Sequence, residues 1–369
     1  MLYYLFDYVN KLYAPPGFDI FRFLTFRSAL AAITGLFMAF YLGPKIIRIL
    51  QKNQIGEARK DDAPKTHLSK AGTPTMGGLI IILSAVVPVL LWGELKSIYI
   101  ILILAGTVWL SIVGFVDDYL KVVKKYPKGL IGRYKLLGQF LIGLIVGSVI
   151  YFAPEFSGFN TLTTVPFLKN VNLDLSFLYI PVVIFIVTAT SNAVNLTDGL
   201  DGLAIGVIAI VMIALALLSY VSGNAIFADY LNIIYLPGSG ELTVFVAALV
   251  GASLGFLWYN SYPAQVFMGD TGSLALGGAF GILAVLIKKE LFIPILGGVF
   301  FMETLSVIIQ KTYFKYTKKK YGQGRRVFKM APIHHHFEMV GWAEPKIVVR
   351  FYIIAIILAI VSLVSFKIR

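Results

Sequence analysis

The sequence predicts an all-α integral membrane protein of about ten transmembrane helices. Its residues are 58% hydrophobic and only 14% charged, with a mean hydropathy of +0.82, whereas soluble domains are about 45–50% apolar and about 25% charged. Apolar runs approaching the roughly 20 residues that a helix needs to cross a bilayer recur from end to end. The polar stretches between them are too short to fold alone, so residues 1–369 are predicted to form a single membrane domain.

Ten apolar runs are candidate transmembrane helices, because a segment in lipid must satisfy its own backbone hydrogen bonds. The predicted spans cover residues 24–48, 77–92, 97–116, 134–152, 178–191, 200–222, 241–259, 273–288, 291–310 and 347–366. An even number of crossings puts the two termini on the same side of the membrane.

The distribution of lysine and arginine among the loops predicts the orientation. Most of these residues follow the first, third and ninth spans, whereas the alternate connections hold Lys96, Lys169, Lys288 and Lys289. The positive-inside rule then places the first set of loops in the cytoplasm and both termini outside it. Because orientation accounts for the net charge of +13, no nucleic-acid partner is expected.

Aspartates at the ends of apolar runs are the first candidates for chemistry, because an acid at the centre of a membrane helix costs about 2.5–3.5 kcal/mol. Asp117 and Asp118 end the third span, Asp198 and Asp201 open the sixth, and Asp270 opens the eighth. All five are predicted to face the cytoplasm and to converge around one divalent cation. Oxygen ligands and a chain without cysteine indicate Mg²⁺ rather than zinc.

These acids also have structural explanations. Asp118 can pair with Lys121 at the i, i+3 position, and Asp198 or Asp270 can cap the helix that follows it. The motif NAVNLTDGLDGL favours a functional reading, because its polar residues fall at every third position and line one face of a helix. Those residues are Asn192, Asn195, Asp198 and Asp201.

Three consecutive histidines follow the ninth span. His334, His335 and His336 stand close to Arg325, Arg326 and Lys329, and such a cationic, titratable patch suits a diphosphate. A solvated loop is the alternative. Glu303 lies within the ninth span, where an acid is unexpected, and the sequence assigns it no role.

Other residues near the acids are candidate substrate contacts. The segment KTHLSKAGTPTMGG places Lys70 and Thr75 in a glycine-containing turn that can contact phosphate, although an ordinary basic loop has the same composition. Lys121 and Lys125 follow the Asp117–Asp118 pair and can neutralise phosphate charge. Phe267 precedes Asp270 and can stack on a base, or can simply lie at the membrane interface.

Together, FVDDYLK, NLTDGLDG and GDTGS resemble the motifs of the polyprenyl-phosphate N-acetylhexosamine-1-phosphate transferases, while TPTMGG and PIHHHFE favour the muramoyl-pentapeptide branch. The resemblance implies a homodimeric multi-pass enzyme of the bacterial inner membrane with its active site on the cytoplasmic face. Such an enzyme transfers phospho-N-acetylmuramoyl-pentapeptide from its UDP donor to undecaprenyl phosphate. The products are lipid I, for peptidoglycan biosynthesis, and UMP.

The resemblance also implies roles for single residues. Asp270 is the implied Mg²⁺ ligand, with Asp117 and Asp118 near the metal and the lipid phosphate, and His334 joins them in the implied catalytic set. Asp117 is the usual candidate base of this family, yet a phosphate nucleophile is already largely ionised near neutral pH and hardly needs one. Residues implied around the nucleotide and sugar are Lys70, Thr75, Asn195, Asp198, Asn260, Phe267 and Gln310.

Two alternatives remain open at this point. Transfer of N-acetylglucosamine phosphate to the same carrier would use the same superfamily motifs. A secondary transporter would also carry acids within its spans, but near the bilayer midplane and on paired broken helices.

Overall fold

The apolar runs form helices, which satisfies their backbone hydrogen bonds internally. The computed structural model describes residues 1–53, 72–126, 129–168 and 171–366. In these residues the α-helices are α1 (Leu2–Tyr13), α2 (Leu24–Lys52), α3 (Gly78–Trp92), α4 (Ile98–Val122), α5 (Gly132–Phe152), α6 (Tyr179–Thr197), α7 (Leu203–Ser222), α8 (Ala225–Tyr230), α9 (Leu242–Asn260), α10 (Gly269–Leu286), α11 (Ile293–Leu296), α12 (Gly298–Tyr321), α13 (Ile333–Val340) and α14 (Glu344–Ser365).

The chain is a multi-pass helical membrane protein. Among the described residues, eight helices are long and apolar enough to cross a bilayer, namely α2, α4, α5, α6, α7, α9, α10 and α14. A ninth crossing results if α11 and α12, which meet at a bend of 80°, form one broken span. Helix α3 is apolar but has only 15 residues. Each predicted span therefore coincides with a helix or with the bent pair, while the count of ten crossings stays a prediction.

Helix α10 lies at the centre of the molecule, with 89% of its apolar stretch buried. It packs against α4 and α6, and glycines permit the close approach of their backbones. A Cβ atom at Gly277 would lie 2.5 Å from the carbonyl oxygen of Thr190, and one at Gly114 would overlap the backbone of Asp270. The start of α10 is therefore held directly against the end of α4.

A small sheet departs from the purely helical prediction. In the connection 153–177, β1 (Leu162–Thr164) and β2 (Asn172–Asp174) pair in antiparallel fashion. The backbone N–H of Thr164 also donates to the carbonyl of Lys288, at 3.2 Å. The sheet therefore covers the C-terminal end of α10.

Two lysines beneath this sheet, which the sequence placed among the charges of the alternate connections, are buried. Lys288 and Lys289 have no exposed surface. Lys288 Nζ donates to the Tyr179 hydroxyl at 2.6 Å, and Lys289 Nζ donates to the Thr164 hydroxyl at 3.0 Å. A buried ammonium group needs such partners, so these lysines help to fix the connection to the helices.

Candidate active site

Three aspartates meet where α4 ends and α10 begins. Asp117 and Asp118 lie in the last turns of α4 and are buried, and Asp270 is the second residue of α10. Each offers one carboxylate oxygen, and these oxygens all lie within 4.8 Å of one another. A group of three carboxylates this close is costly unless cations or hydrogen-bond donors accompany it.

Asp118 caps α10. Its Oδ1 accepts the backbone N–H of Asp270 at 3.1 Å, and its Oδ2 accepts the backbone N–H and the hydroxyl of Thr271 at 2.8 and 2.6 Å. The N-terminal N–H groups of a helix lack partners within the helix and favour negative charge. The cap that the sequence allowed for Asp270 is therefore wrong, since Asp270 lies inside the first turn and Asp118 supplies the carboxylate.

Two lysines bridge the other two carboxylates. Lys135 Nζ lies 2.8 Å from Asp117 Oδ2 and 2.5 Å from Asp270 Oδ2. Lys121 Nζ contacts Asp117 Oδ2 and lies 3.2 Å from Asp270 Oδ2. The pairing of Lys121 with Asp118 allowed by the sequence is thus replaced by an i, i+4 pair with Asp117, because Asp118 turns toward α10.

Lys135 was missing from the predicted site. It lies in the first turns of α5 (Gly132–Phe152), and the sequence pattern indicated only that it is one of the cytoplasmic charges. Lys135 stands at the start of the span that follows the Asp117–Asp118 motif, and this position could have predicted that it lies near the aspartates. The other predicted cation of that loop, Lys125, is exposed.

The cluster has the chemistry of a site for a hard divalent cation. Its ligands are all carboxylate oxygens, as Mg²⁺ prefers. Asp117 Oδ2 is buried and meets the two ammonium groups, yet it accepts no aligned hydrogen bond from the described residues. A buried oxygen with unused acceptor capacity is a suitable metal ligand. Asp117, Asp118 and Asp270 could therefore hold a hard divalent cation.

Two further segments, one around Thr75 and the other at the end of α6, lie next to the aspartate cluster. The backbone N–H groups of Gly77 and Gly78 donate to the carbonyls of Phe267 and Met268, each at 2.8 Å. This pairing carries Thr75 to the start of α10, where its hydroxyl would lie 3.0 Å from a Cβ atom at Gly269.

From the other side, Asn195 on α6 donates to Asp270 Oδ1 and to Ser273 Oγ, both at 2.8 Å. The predicted residues Thr75, Asn195 and Phe267 are thus brought near the aspartates. Lys70 lies outside the described residues.

The expected convergence of five aspartates is wrong in part, because the close group contains three. Helix α6 ends at Thr197 and α7 begins at Leu203, so Asp198 and Asp201 lie in a turn and do not continue the helical stripe. Asp201 Oδ2 accepts the N–H of Ala264 at 3.0 Å. Asp201 therefore connects the turn between α6 and α7 with the loop that precedes α10.

Asn260 strengthens the same connection. Its Oδ1 accepts the N–H of Gly202 at 3.1 Å, and its Nδ2 donates to the carbonyl of Val266 at 2.9 Å. Asn260 is buried. Its side chain thus holds together the two turns that flank the aspartate cluster, and a contact with substrate stays a prediction.

The three histidines lie on α13 and point in different directions. His334 is fully buried against Glu303, His335 Nδ1 lies 2.7 Å from Glu338 Oε2, and His336 Nδ1 accepts the N–H of Lys329 at 3.1 Å. The single open patch expected from the sequence is therefore wrong for His334, because successive helical residues diverge by about 100°.

Gln310 on α12 organises the loop before α13. Its Oε1 accepts the N–H groups of Val327 and Phe328 at 2.9 and 3.0 Å, and its Nε2 donates to the carbonyl of Phe328 at 3.0 Å. The side chain therefore shapes the basic loop that precedes the histidines.

Comparison with known proteins gives consistent matches. The model of the family described as "Glycosyl transferase family 4" matches residues 100–288, which include the three clustered aspartates. A further model, "Phospho-N-acetylmuramoyl-pentapeptide-transferase signature 1", matches residues 70–82.

Whole-chain relatives agree with these models. A phospho-N-acetylmuramoyl-pentapeptide-transferase of Chloroherpeton thalassium is 54% identical over 369 residues, and one of Salinibacter ruber is 54% identical over 385 residues. The protein of the same name from Chlorobium limicola is 52% identical over 369 residues. In all three comparisons the match covers 100% of both chains.

Proposed function

The chain belongs to the phospho-N-acetylmuramoyl-pentapeptide transferases, and we propose that it transfers phospho-N-acetylmuramoyl-pentapeptide from a UDP donor to undecaprenyl phosphate. The products are lipid I and UMP. The observation that carries the proposal is the meeting of Asp117, Asp118 and Asp270 with Lys121 and Lys135 at one junction of helices. Joining two anionic phosphates requires this combination of metal ligands and fixed cations.

Mg²⁺ is the proposed cofactor, held by Asp117, Asp118 and Asp270. When bound, it neutralises phosphate charge and polarises the phosphate that is attacked. Asp118 accepts its three hydrogen bonds from the start of α10 itself, whereas Oδ2 of Asp117 and Oδ2 of Asp270 face the ammonium groups of Lys121 and Lys135, whose charge a bound cation can replace. Asp117 and Asp270 are therefore the principal proposed ligands.

The protein's own cations position the reacting groups. Lys121 and Lys135 each contact both Asp117 and Asp270. Either lysine can therefore give up one carboxylate to bind a substrate phosphate, because the other lysine still pairs with that carboxylate. Asn195 keeps the Asp270 carboxylate oriented. The acceptor phosphate is largely ionised near neutral pH, so catalysis needs alignment more than a strong base at Asp117.

Substrate contacts are proposed for the residues around this junction. Thr75 and the lysines Lys70 and Lys125 would contact phosphate, and Phe267 would stack on the uracil base. The remaining proposed contacts with nucleotide, sugar or diphosphate are Asn195, Asp198, Asp201, Asn260, Gln310, His335 and His336.

The placement in the membrane follows from the same proposal. Ten crossings, with α3 and the bent pair each counting as one, would leave both termini outside the cytoplasm and the aspartate junction on the cytoplasmic side of the bacterial inner membrane. The donor is water-soluble and the acceptor is a lipid, so the site belongs at that interface. A homodimer is also proposed, from the family resemblance.

The position of the acids supports an enzyme over a transporter. A transporter would use acids near the midplane of its spans, whereas Asp117, Asp118 and Asp270 lie at helix ends.

A UMP-release assay tests the proposed function. Purified chain would receive undecaprenyl phosphate, Mg²⁺ and either UDP-N-acetylmuramoyl-pentapeptide or UDP-N-acetylglucosamine. We expect UMP only with the first donor, and activity that EDTA abolishes and Mg²⁺ restores. Turnover of UDP-N-acetylglucosamine alone, or full turnover in chelator, would contradict the proposed substrate or the proposed metal.

A further inference from the structure

A buried acid and a buried histidine meet between α12 and α13. Glu303 and His334 both have no exposed surface. The Oε2 atom of Glu303 lies 3.1 Å from His334 Nδ1 and also accepts the backbone N–H of His334 at 3.5 Å. Burial of a carboxylate is costly without a partner. Packing alone therefore does not explain why α12 carries a buried acid that contacts a histidine of α13.

The ring presents its other nitrogen to the turn that follows α6. A Cβ atom at Gly199 would overlap His334 Nε2, so the absence of a side chain there leaves room for the imidazole. Asn195 lies one helical turn earlier and bonds Asp270. His334 thus stands beside the segment that connects with the aspartate cluster.

Nε2 of His334 has no hydrogen-bond partner in the part of the chain that the structure describes. Among the described residues, neither ring nitrogen of His334 nor Glu303 Oε1 makes an aligned hydrogen bond. Nδ1 differs from Nε2 in that it lies 3.1 Å from Glu303 Oε2. A buried polar atom without a partner is uncommon, and a catalytic role or an ordered water or ion is the usual explanation. The neighbouring His335 has its own carboxylate contact, with Glu338 at 2.7 Å, so each of the two rings has a separate acid.

We propose that Glu303 is a positioning residue: its carboxylate, in close contact with Nδ1 of His334, orients the ring so that Nε2 can bond a phosphate oxygen of the substrate. An imidazole between a carboxylate and a phosphate can donate from both ring nitrogens. Glu303 acts through His334 and does not itself touch the substrate. This inference rests on the proposed function for the identity of the phosphate, but the contact between Glu303 and His334 does not.

A double-mutant cycle tests the dependence of Glu303 on His334. We expect E303Q to lower kcat about tenfold to a hundredfold with little change in the KM for the UDP donor, because orientation is lost at the reacting group. In the H334Q background, E303Q should cause no further loss. Residues that act through one another show such non-additivity.

The control is T304A, one residue along α12, where the lost hydroxyl bonds only the Phe300 carbonyl of the same helix among the described residues. Its kcat should match the wild type. If E303Q does not fold, E303D enters the same cycle, and its retained carboxylate should preserve more activity than E303Q does in any folded preparation. Independent, multiplicative losses from the two substitutions would overturn the proposal.

A spectroscopic measurement tests the pair without using activity. The chain has four histidines, so ring-¹⁵N labelling gives few resonances, and loss of a resonance in H334Q identifies His334. We expect a downfield Nδ1–H proton in the wild type that moves upfield in E303Q. Absence of this change would overturn the positioning role even if UMP release is normal, whereas its presence without UMP release would count against the proposed function alone.

Discussion

At the residue scale, the two adjacent aspartates of α4 have different surroundings. Asp118 accepts hydrogen bonds from the start of α10, whereas Asp117 contacts two lysines and accepts the N–H of Leu130 at 2.7 Å. Adjacent helical side chains diverge by about 100°, so Asp118 joins two helices while Asp117 faces Lys121 and Lys135. Substitutions at the two positions should therefore have different consequences.

We expect D117N and D270N to lower kcat by about a hundredfold or more, because each removes a proposed metal ligand and leaves the lysines less well paired. D118N should also weaken the cap of α10 and reduce the free energy of unfolding by about 1 kcal/mol. UMP release and thermal unfolding in detergent measure the two effects. Wild-type kcat in folded D117N or D270N would remove their catalytic assignment.

Lys135 provides a second test at this scale. K135Q removes one of the two ammonium groups that bridge Asp117 and Asp270, so we expect kcat to fall by about tenfold to a hundredfold through lost neutralisation of phosphate charge. K124Q is the matched control, because Lys124 is exposed in the neighbouring loop. Equal activity of K135Q and K124Q would show that Lys135 acts only as a general cytoplasmic charge.

At the scale of elements, the site depends on how closely α4 and α10 approach. Gly114 lies against the backbone of Asp270, where a Cβ atom has no space. The same crossing allows Asp118 to reach the N–H groups of α10. Interhelical distance and catalytic geometry are therefore fixed by the same contact.

We expect G114A to destabilise the protein by about 1–3 kcal/mol, as overpacking commonly does, and to reduce UMP release by displacing Asp270 from Asp117. G132A is the control, because a Cβ atom there meets nothing within 4 Å of it among the described residues. Thermal unfolding and kcat would be measured for both. If G114A behaves like G132A, the crossing tolerates a methyl group and does not set the site geometry.

At the scale of the whole molecule, orientation is the principal remaining prediction. The chain has no cysteine, so single cysteines report sidedness cleanly. K124C and S157C place a thiol at two exposed positions on predicted opposite faces. An impermeant maleimide should label S157C in spheroplasts and K124C only in inverted vesicles. The reverse pattern, or labelling of both from one side, would be inconsistent with a cytoplasmic active site.

The sequence by itself determined the long apolar helices and the acidic motifs at their ends. A membrane helix satisfies its hydrogen bonds locally, so each apolar run could be predicted without knowing its neighbours. The carboxylates of Asp117, Asp118 and Asp270 could also be recognised, because acids beside hydrocarbon are costly. The small sheet over Lys288 was missed, since short strands depend on pairing that local sequence hardly specifies.

Only the tertiary structure decided how these residues are used. Asp118 caps α10, Lys135 bridges Asp117 and Asp270, and Glu303 contacts His334. Each contact connects helices that are distant in the chain, and its existence depends on interhelical packing. Local periodicity shows which face of a helix a side chain occupies, but it does not show which other helix that face will meet.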